Sequence, residues 1–225
     1  MASRPALESP VVGLPQYPPS ERPVEEKLRD ADDFFAGGGP VHSTLRRLAD
    51  RLDQEGIPYA LIGAMALNLL GYVRQTVDLD ILLTREGIER FQREFVGRGY
   101  APAFPGAVKS FRDSDTGVRI DVIGAGEYPG DGKPKPVSFP DPARSSIAIG
   151  RYRVVSLEKL IELKIASGLS APHRQLVDLA DIQRLIEELS LPAELADRLD
   201  PSVQPEYRRL WSLAQRRAEG PHERG

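Results

Sequence analysis

Cysteine is missing from all 225 residues. Disulfides, thiolate metal sites and cysteine nucleophiles are therefore excluded. Histidine is scarce: His42, His173 and His222 are the whole supply, and they lie too far apart in sequence to read as a zinc-ligand set. No apolar run approaches the ~20 residues of a membrane span, so no membrane partner is expected. The first ten residues lack the apolar stretch of a secretory signal, and cytoplasmic residence is the expectation. An excess of one charge is also lacking. Lys and Arg number 30 against 33 Asp and Glu, a net charge of −3. Bulk nucleic-acid binding through a basic surface is not expected from such a chain.

Glycine and proline are plentiful, at 20 each, and they mark the divisions. Residues 1–40 are rich in proline and charge, end in Gly37-Gly38-Gly39-Pro40, and read as a disordered tail. Within that span a short helix over 24–35, with Phe34 and Phe35 docked on the body, is the alternative. A core over 41–155 and a helical region over 156–219 follow, with a disordered tail at 220–225. In the core, Leu45, Leu48, Ala49 and Leu52 recur at helical spacing before Gly56. Strands are predicted at 58–62, 77–83, 100–104, 108–112 and 118–123, with helices at 64–70 and 85–98. Turn chemistry at 113–117 makes the last two strands a hairpin. Residues 124–150 form a long loop of the kind that serves as a lid or stays disordered; it carries one or two short strands over 147–154. Beyond Ser156, helices are predicted at 156–167, 173–189, 192–199 and 203–218. The order describes an α+β fold: a mixed β-sheet with helices on one side and a C-terminal helical appendage.

The chemistry gathers at Thr76-Val77-Asp78-Leu79-Asp80. Residues two apart on a strand share a face, so Asp78 and Asp80 project together while Leu79 and Ile81 face the other way. Two carboxylates spaced by ~7 Å along a strand can converge on a pair of divalent ions. An isolated Asp-x-Asp is more often a solvated strand face. Two further features count against that here. Asp121 is a third strand carboxylate, on the face opposite Val118, Ile120 and Val122. Gly63-Ala64 stands at a strand-to-helix junction, where backbone N–H groups and the helix dipole suit phosphate.

The run Ile62-Gly63-Ala64-Met65-Ala66-Leu67, followed by Gly71-Tyr72-Val73-Arg74-Gln75-Thr76-Val77-Asp78-Leu79-Asp80, resembles the nucleotidyltransferase superfamily of the DNA polymerase β type. It is most similar to small bacterial proteins related to abortive-infection type IV toxins and minimal nucleotidyltransferases. The resemblance covers about residues 42–190. It implies two Mg²⁺ ions (or Mn²⁺) and an NTP substrate. Asp78 and Asp80 are then the carboxylates that bind the ions gripping the triphosphate, and Asp121 completes a metal site and helps activate the acceptor hydroxyl. Gly63, Ala64, Arg74, Thr76, Lys164 and Asp181 are the implied nucleotide-binding residues. The implied chemistry is NMP transfer with release of pyrophosphate, to a protein side chain, an RNA end or a small hydroxylated molecule. The toxin-like tail implies a toxin–antitoxin setting, with an antitoxin protein as partner. At the second turn position many active relatives carry Ser, where this chain has Ala64. The alternatives are a catalytically weak nucleotide-binding or protein-interaction module of the same fold, and an antibiotic-modifying transferase.

Lys164 falls in the middle of the apolar stripe formed by residues 157, 160, 161 and 165. It either snorkels or meets an anion. Arg174, Asp178 and Asp181 share one face of the next helix, where Arg174 and Asp178 can equally be an ordinary i,i+4 pair. Asp181 is expected to contact the acceptor or to orient Lys164. Arg74 is expected to meet phosphate or to brace Asp78. Lys133 and Lys135, in the Gly/Pro loop, are expected either to close over a substrate or to be solvated.

Overall fold

The computed structural model describes residues 24–218. In chain order the elements are α1 (Val24–Phe35), α2 (Gly39–Gln54), β1 (Tyr59–Ile62), α3 (Gly63–Leu70), β2 (Asp78–Leu83), α4 (Arg85–Phe95), β3 (Tyr100–Pro102), β4 (Ser110–Asp113) and β5 (Arg119–Gly124). They continue with α5 (Pro142–Ser145), β6 (Ser146–Ile149), β7 (Tyr152–Val155), α6 (Leu157–Ser170) and α7 (Pro172–Leu189), then a 3-10 turn (Ala193–Arg198) and α8 (Gln204–Ala218). The tail expected over residues 1–40 is corrected from residue 24 onward. Helix α1 and the first turn of α2 lie there, Phe34 is buried and Phe35 is exposed. The expectations for 1–23 and 219–225 fall outside the described residues.

Seven strands form one mixed sheet in the order β3-β4-β5-β2-β1-β7-β6. The hairpin expected after residue 108 is present as β4 and β5, antiparallel. Its second strand then lies parallel to β2, with Asp78 opposite Arg119, Leu79 opposite Ile120, Asp80 opposite Asp121 and Ile81 opposite Val122. Strand β1 flanks β2 antiparallel on the other side, with Ile62 opposite Asp80.

One face of this central trio is dry. Leu79, Ile81, Ile120 and Val122 are all buried. Phe111 is the cross-strand partner of Ile120 and packs against Phe91 of α4, the rings tilted with centroids 4.8 Å apart. Phe95 and Tyr100 complete the aromatic cluster. Helix α4 starts where Thr84 accepts a hydrogen bond from the Gly87 N–H at 3.0 Å, an N-cap arrangement. The tip of the β4–β5 hairpin is tied to α2: Arg47 donates to the buried Asp113 at 2.6 Å, and the Thr44 and Thr116 hydroxyls lie 2.6 Å apart. Burial would push the Asp113 carboxyl up, but Arg47 and the Asp115 and Thr116 N–H groups overcome it and hold it below the usual range. Aromatic packing and hairpin tie together fix where β5 lies, and hence where Asp121 stands.

Helix α6 is capped by Ser156, whose hydroxyl accepts from the Lys159 N–H at 3.4 Å. It is buried from Leu160 to Gly168, far beyond the single apolar stripe expected. Helix α7 packs along it. The 192–199 helix is a 3-10 turn, and the 124–150 loop is broken by α5 and β6.

Candidate active site

The opposite face of β2 and β5 carries Asp78, Asp80 and Asp121, each partly buried. Adjacent strands lie about 4.8 Å apart, so the Asp80–Asp121 register makes these two carboxylates immediate neighbours. Each outer carboxylate is oriented by a hydroxyl. Thr76 Oγ1 donates to Asp78 Oδ1 at 2.8 Å, and Ser110 Oγ donates to Asp121 Oδ1 at 2.7 Å. The remaining oxygens, Asp78 Oδ2 and Asp121 Oδ2, both face one nitrogen of Arg119, at 3.3 and 2.8 Å.

Asp80 sits between them against Gly63. Gly63 has φ +63, and a Cβ built on it would fall on Asp80 Oδ2 and 2.8 Å from its Cγ. The carboxylate therefore occupies the cradle a side chain at 63 would fill, at the first residue of α3. Burial first, and then the neighbouring Asp78 and Asp121, push the Asp80 carboxyl up to about 6; Arg174 and Lys164 pull the other way. Among the described residues no group of three or more His, Asp or Glu side chains stands gathered for a metal ion, and the Arg119 guanidinium lies between two of the three carboxylates. The donor set nevertheless suits a hard divalent cation: it is all carboxylate oxygen, and it is crowded with like charge.

Two adjoining clefts meet here. One, of about 320 Å³, is lined by Ala64, Arg74, Thr76, Arg119 and Val177. The other, of about 400 Å³, is more apolar and takes Ile123, Tyr128, Phe139, Leu160 and Leu163 into its wall. Both share Gly63, Asp80, Asp121, Lys164, His173, Arg174 and Asp178.

The tail residues converge on these clefts through a charge network. Lys164 Nζ donates to Asp178 at 3.0 Å and to Asp181 at 2.7 Å, with all three side chains buried. Arg174 reaches Asp178 at 3.2 Å. Burial would raise the Asp178 carboxyl, but Lys164, Ser167 and Arg174 outweigh it and hold it below the usual range. Arg74 Nε lies 3.4 Å from Asp181 Oδ1, close enough for an ion pair but without hydrogen-bond alignment, and it is otherwise a buried donor with no partner. Arg74 thus leans on Asp181 rather than Asp78. Thr76 is spent on Asp78.

Neither Lys133 nor Lys135 lines either cleft. Lys135 instead points back, donating to Pro129 O at 2.6 Å and Ser170 Oγ at 2.9 Å, and so pins the loop that carries Tyr128 against α6. Sequence reasoning passed over Arg119 and His173. Arg119 was within reach, since it shares the two-residue alternation with Asp121. His173 reaches the clefts only because α7 starts at Pro172 beside them.

No family model and no curated protein matches the sequence. Solved structures do match, with nucleotidyltransferases among them. The structure of ANT(2″)-Ia in complex with adenylyl-2″-tobramycin is 15% identical, with a TM-score of 0.49, covering 78% of this chain and 97% of its own. A nucleotidyltransferase-like protein from Paracoccidioides brasiliensis is 18% identical, TM-score 0.45, covering 79% and 88%. A protein from Thermotoga maritima assigned as a nucleotidyltransferase is 19% identical, TM-score 0.41, covering 74% and 94%.

Proposed function

We propose that this chain is a divalent-metal-dependent nucleotidyltransferase that moves NMP from an NTP to an acceptor hydroxyl and releases pyrophosphate. The observation that carries the reading is the parallel register of Asp80 beside Asp121, with Asp78 on the same face and Gly63 opened beneath Asp80. Asp78, Asp80 and Asp121 would hold Mg²⁺ or Mn²⁺, which supplies Lewis-acid stabilisation of the triphosphate and of the attacking oxygen.

The remaining work falls to the chain itself. The backbone N–H groups of Gly63 and Ala64, at the positive end of α3, cradle phosphate oxygens. Lys164 and Arg174 offer cationic charge to the departing pyrophosphate from the wall shared by both clefts. Asp181 steadies Lys164 and Arg74, and Thr76 fixes the rotamer of Asp78. The acceptor oxygen attacks the α-phosphorus, the bond to the bridging oxygen of pyrophosphate breaks, and Asp121 takes the hydroxyl proton. The acceptor is a protein side chain, an RNA end or a small molecule. A cytoplasmic toxin paired with an antitoxin protein is the setting that the toxin-like tail supports.

A second reading, a nucleotide-binding module with weak catalysis, is favoured by Ala64, which offers a backbone N–H but no hydroxyl. Incubation with α-labelled NTPs and Mg²⁺ or Mn²⁺ separates the two. Label transfer to the protein or to an added acceptor, lost in Asp80→Ala, supports the enzyme. Saturable NTP binding without pyrophosphate release, across protein, RNA and small-molecule acceptors, supports the module.

A further inference from the structure

We propose that Arg119 is a tethered counter-ion that competes with the divalent cation for Asp78 and Asp121, and so sets the metal concentration at which the site loads. The proposal rests on the metal-dependent reading above and concerns a residue to which that reading gives no role.

The backbone places Arg119 for this task. It is the cross-strand partner of Asp78, and it stands two residues before Asp121 on the same face of β5. Its side chain therefore rises between the two carboxylates. One guanidinium nitrogen lies 2.8 Å from Asp121 Oδ2 and 3.3 Å from Asp78 Oδ2. The other oxygen of each carboxylate is held by a neutral hydroxyl, Ser110 or Thr76. The two oxygens that Arg119 covers are thus the two left free to meet a cation. A divalent ion and the guanidinium cannot share them at contact distance without strong repulsion.

Arg119 also has somewhere to go. Its side chain is 48% exposed, and its ion pairs to described residues are those two carboxylates alone. Displacing it costs little, because ion pairs open to water are weakened by solvent and salt. The Asp80 carboxylate, unlike its backbone, makes no side-chain hydrogen bond or ion pair with another described residue, so it stays available to an arriving cation. Arrival of the ion at Asp80 and departure of Arg119 to solvent are one exchange of charge, leaving all covalent bonds unchanged.

The test is calorimetric titration of the full chain with Mn²⁺, without nucleotide, for wild type, Arg119→Gln, Arg119→Lys and the double variant Arg119→Gln/Asp80→Ala. Circular dichroism and thermal melts verify folding in each. Arg119→Gln is expected to bind Mn²⁺ about tenfold more tightly than wild type, with Arg119→Lys in between, and the double variant to lose binding. An unchanged or weaker Kd in folded Arg119→Gln, with binding still lost on removing Asp80, overturns competition while leaving the metal site standing. Absence of Mn²⁺ binding in wild type and Arg119→Gln alike overturns both.

Discussion

Gly63 answers two constraints at once. Its φ of +63 is one that side-chain-bearing residues adopt at a cost of about 1 kcal/mol or more. The space where its Cβ would be is taken by the Asp80 carboxylate. Gly63→Ala is expected to lower stability by roughly 1–2 kcal/mol and to push Asp80 off its position, so that label transfer falls far more than stability does. Chemical denaturation and turnover, measured together, check this. Asp80 adds a pH signature. Its folded-state value of about 6 lies above the ordinary ~3.9 of an unfolded aspartate, so the folded protein holds the proton more tightly between those values. Ionising Asp80 therefore opposes folding as pH rises through that window, with the full penalty above it. Asp80→Asn, in metal-free buffer, is expected to be more stable than wild type at pH 7.5 by about 1–2 kcal/mol, with the gain gone near pH 4. Thermal melts across that range decide it; a loss of stability at pH 7.5 would mean that Asp80 is neutralised within the fold. The pairing of Asp78 and Asp80 was legible from alternation alone. That Asp121 would join them was expected on condition that its strand lay beside theirs; the adjacency itself involves a strand some forty positions away and has no local signal.

At the scale of elements, the segment between β5 and α5 is folded back on itself and tied to α6. Gly126 N–H donates to Phe139 O, and Phe139 N–H donates to Glu127 O, both at 2.8 Å, which closes the segment on itself. Lys135 then ties it to α6, and Gly130 approaches so closely that a Cβ there would fall on Ser170 Oγ. Lys135→Ala is expected to leave the sheet intact and to speed amide exchange in residues 126–139 by about tenfold or more, with little change in β2. Hydrogen exchange by mass spectrometry reads both. If the loop exchanges as in wild type, Lys135 is not its anchor. Composition marked this stretch as irregular, but the tie to α6 is a long-range contact with no local sequence signal. Helix boundaries behaved differently. Thr84 and Ser156 carry N-cap chemistry, and the predicted starts of α4 and α6 fall within a residue of those observed. Helix α6 was read as amphipathic, yet it is buried almost all round: α7 meets the stripe side at Lys164, and Glu162, on the side that periodicity assigned to solvent, accepts from the Asp200 N–H.

Across the whole molecule, the site exists because two distant pairings agree. The β4–β5 hairpin could be read from its turn. That β5 then lies parallel to β2, and that β7 adds parallel to β1 at the other side, could not, since parallel pairing carries no local turn signal. The tail helices bring Lys164, Arg174 and Asp178 to the same cleft from the far end of the chain. The one-face spacing of Arg174, Asp178 and Asp181, and the place of Lys164 in its apolar stripe, were visible in sequence, but the cleft they reach was not. The network is also costly to probe by deletion. Lys164→Met leaves Asp178 and Asp181 short of a buried counter-charge and is expected to destabilise the fold by about 3–5 kcal/mol, as a urea titration would record. A loss of activity in that variant would say little about phosphate binding.

The central claim is that Asp78, Asp80 and Asp121 together hold a divalent cation. The most direct measurement is the anomalous scattering of Mn²⁺ in crystals grown with a non-hydrolysable NTP. The account predicts one or two peaks in coordinating contact with all three carboxylates, with the nucleotide phosphates beside Gly63 and Arg119 turned to solvent. Ordered nucleotide with no peak at these carboxylates, or a peak elsewhere with Arg119 still bridging Asp78 and Asp121, would contradict it.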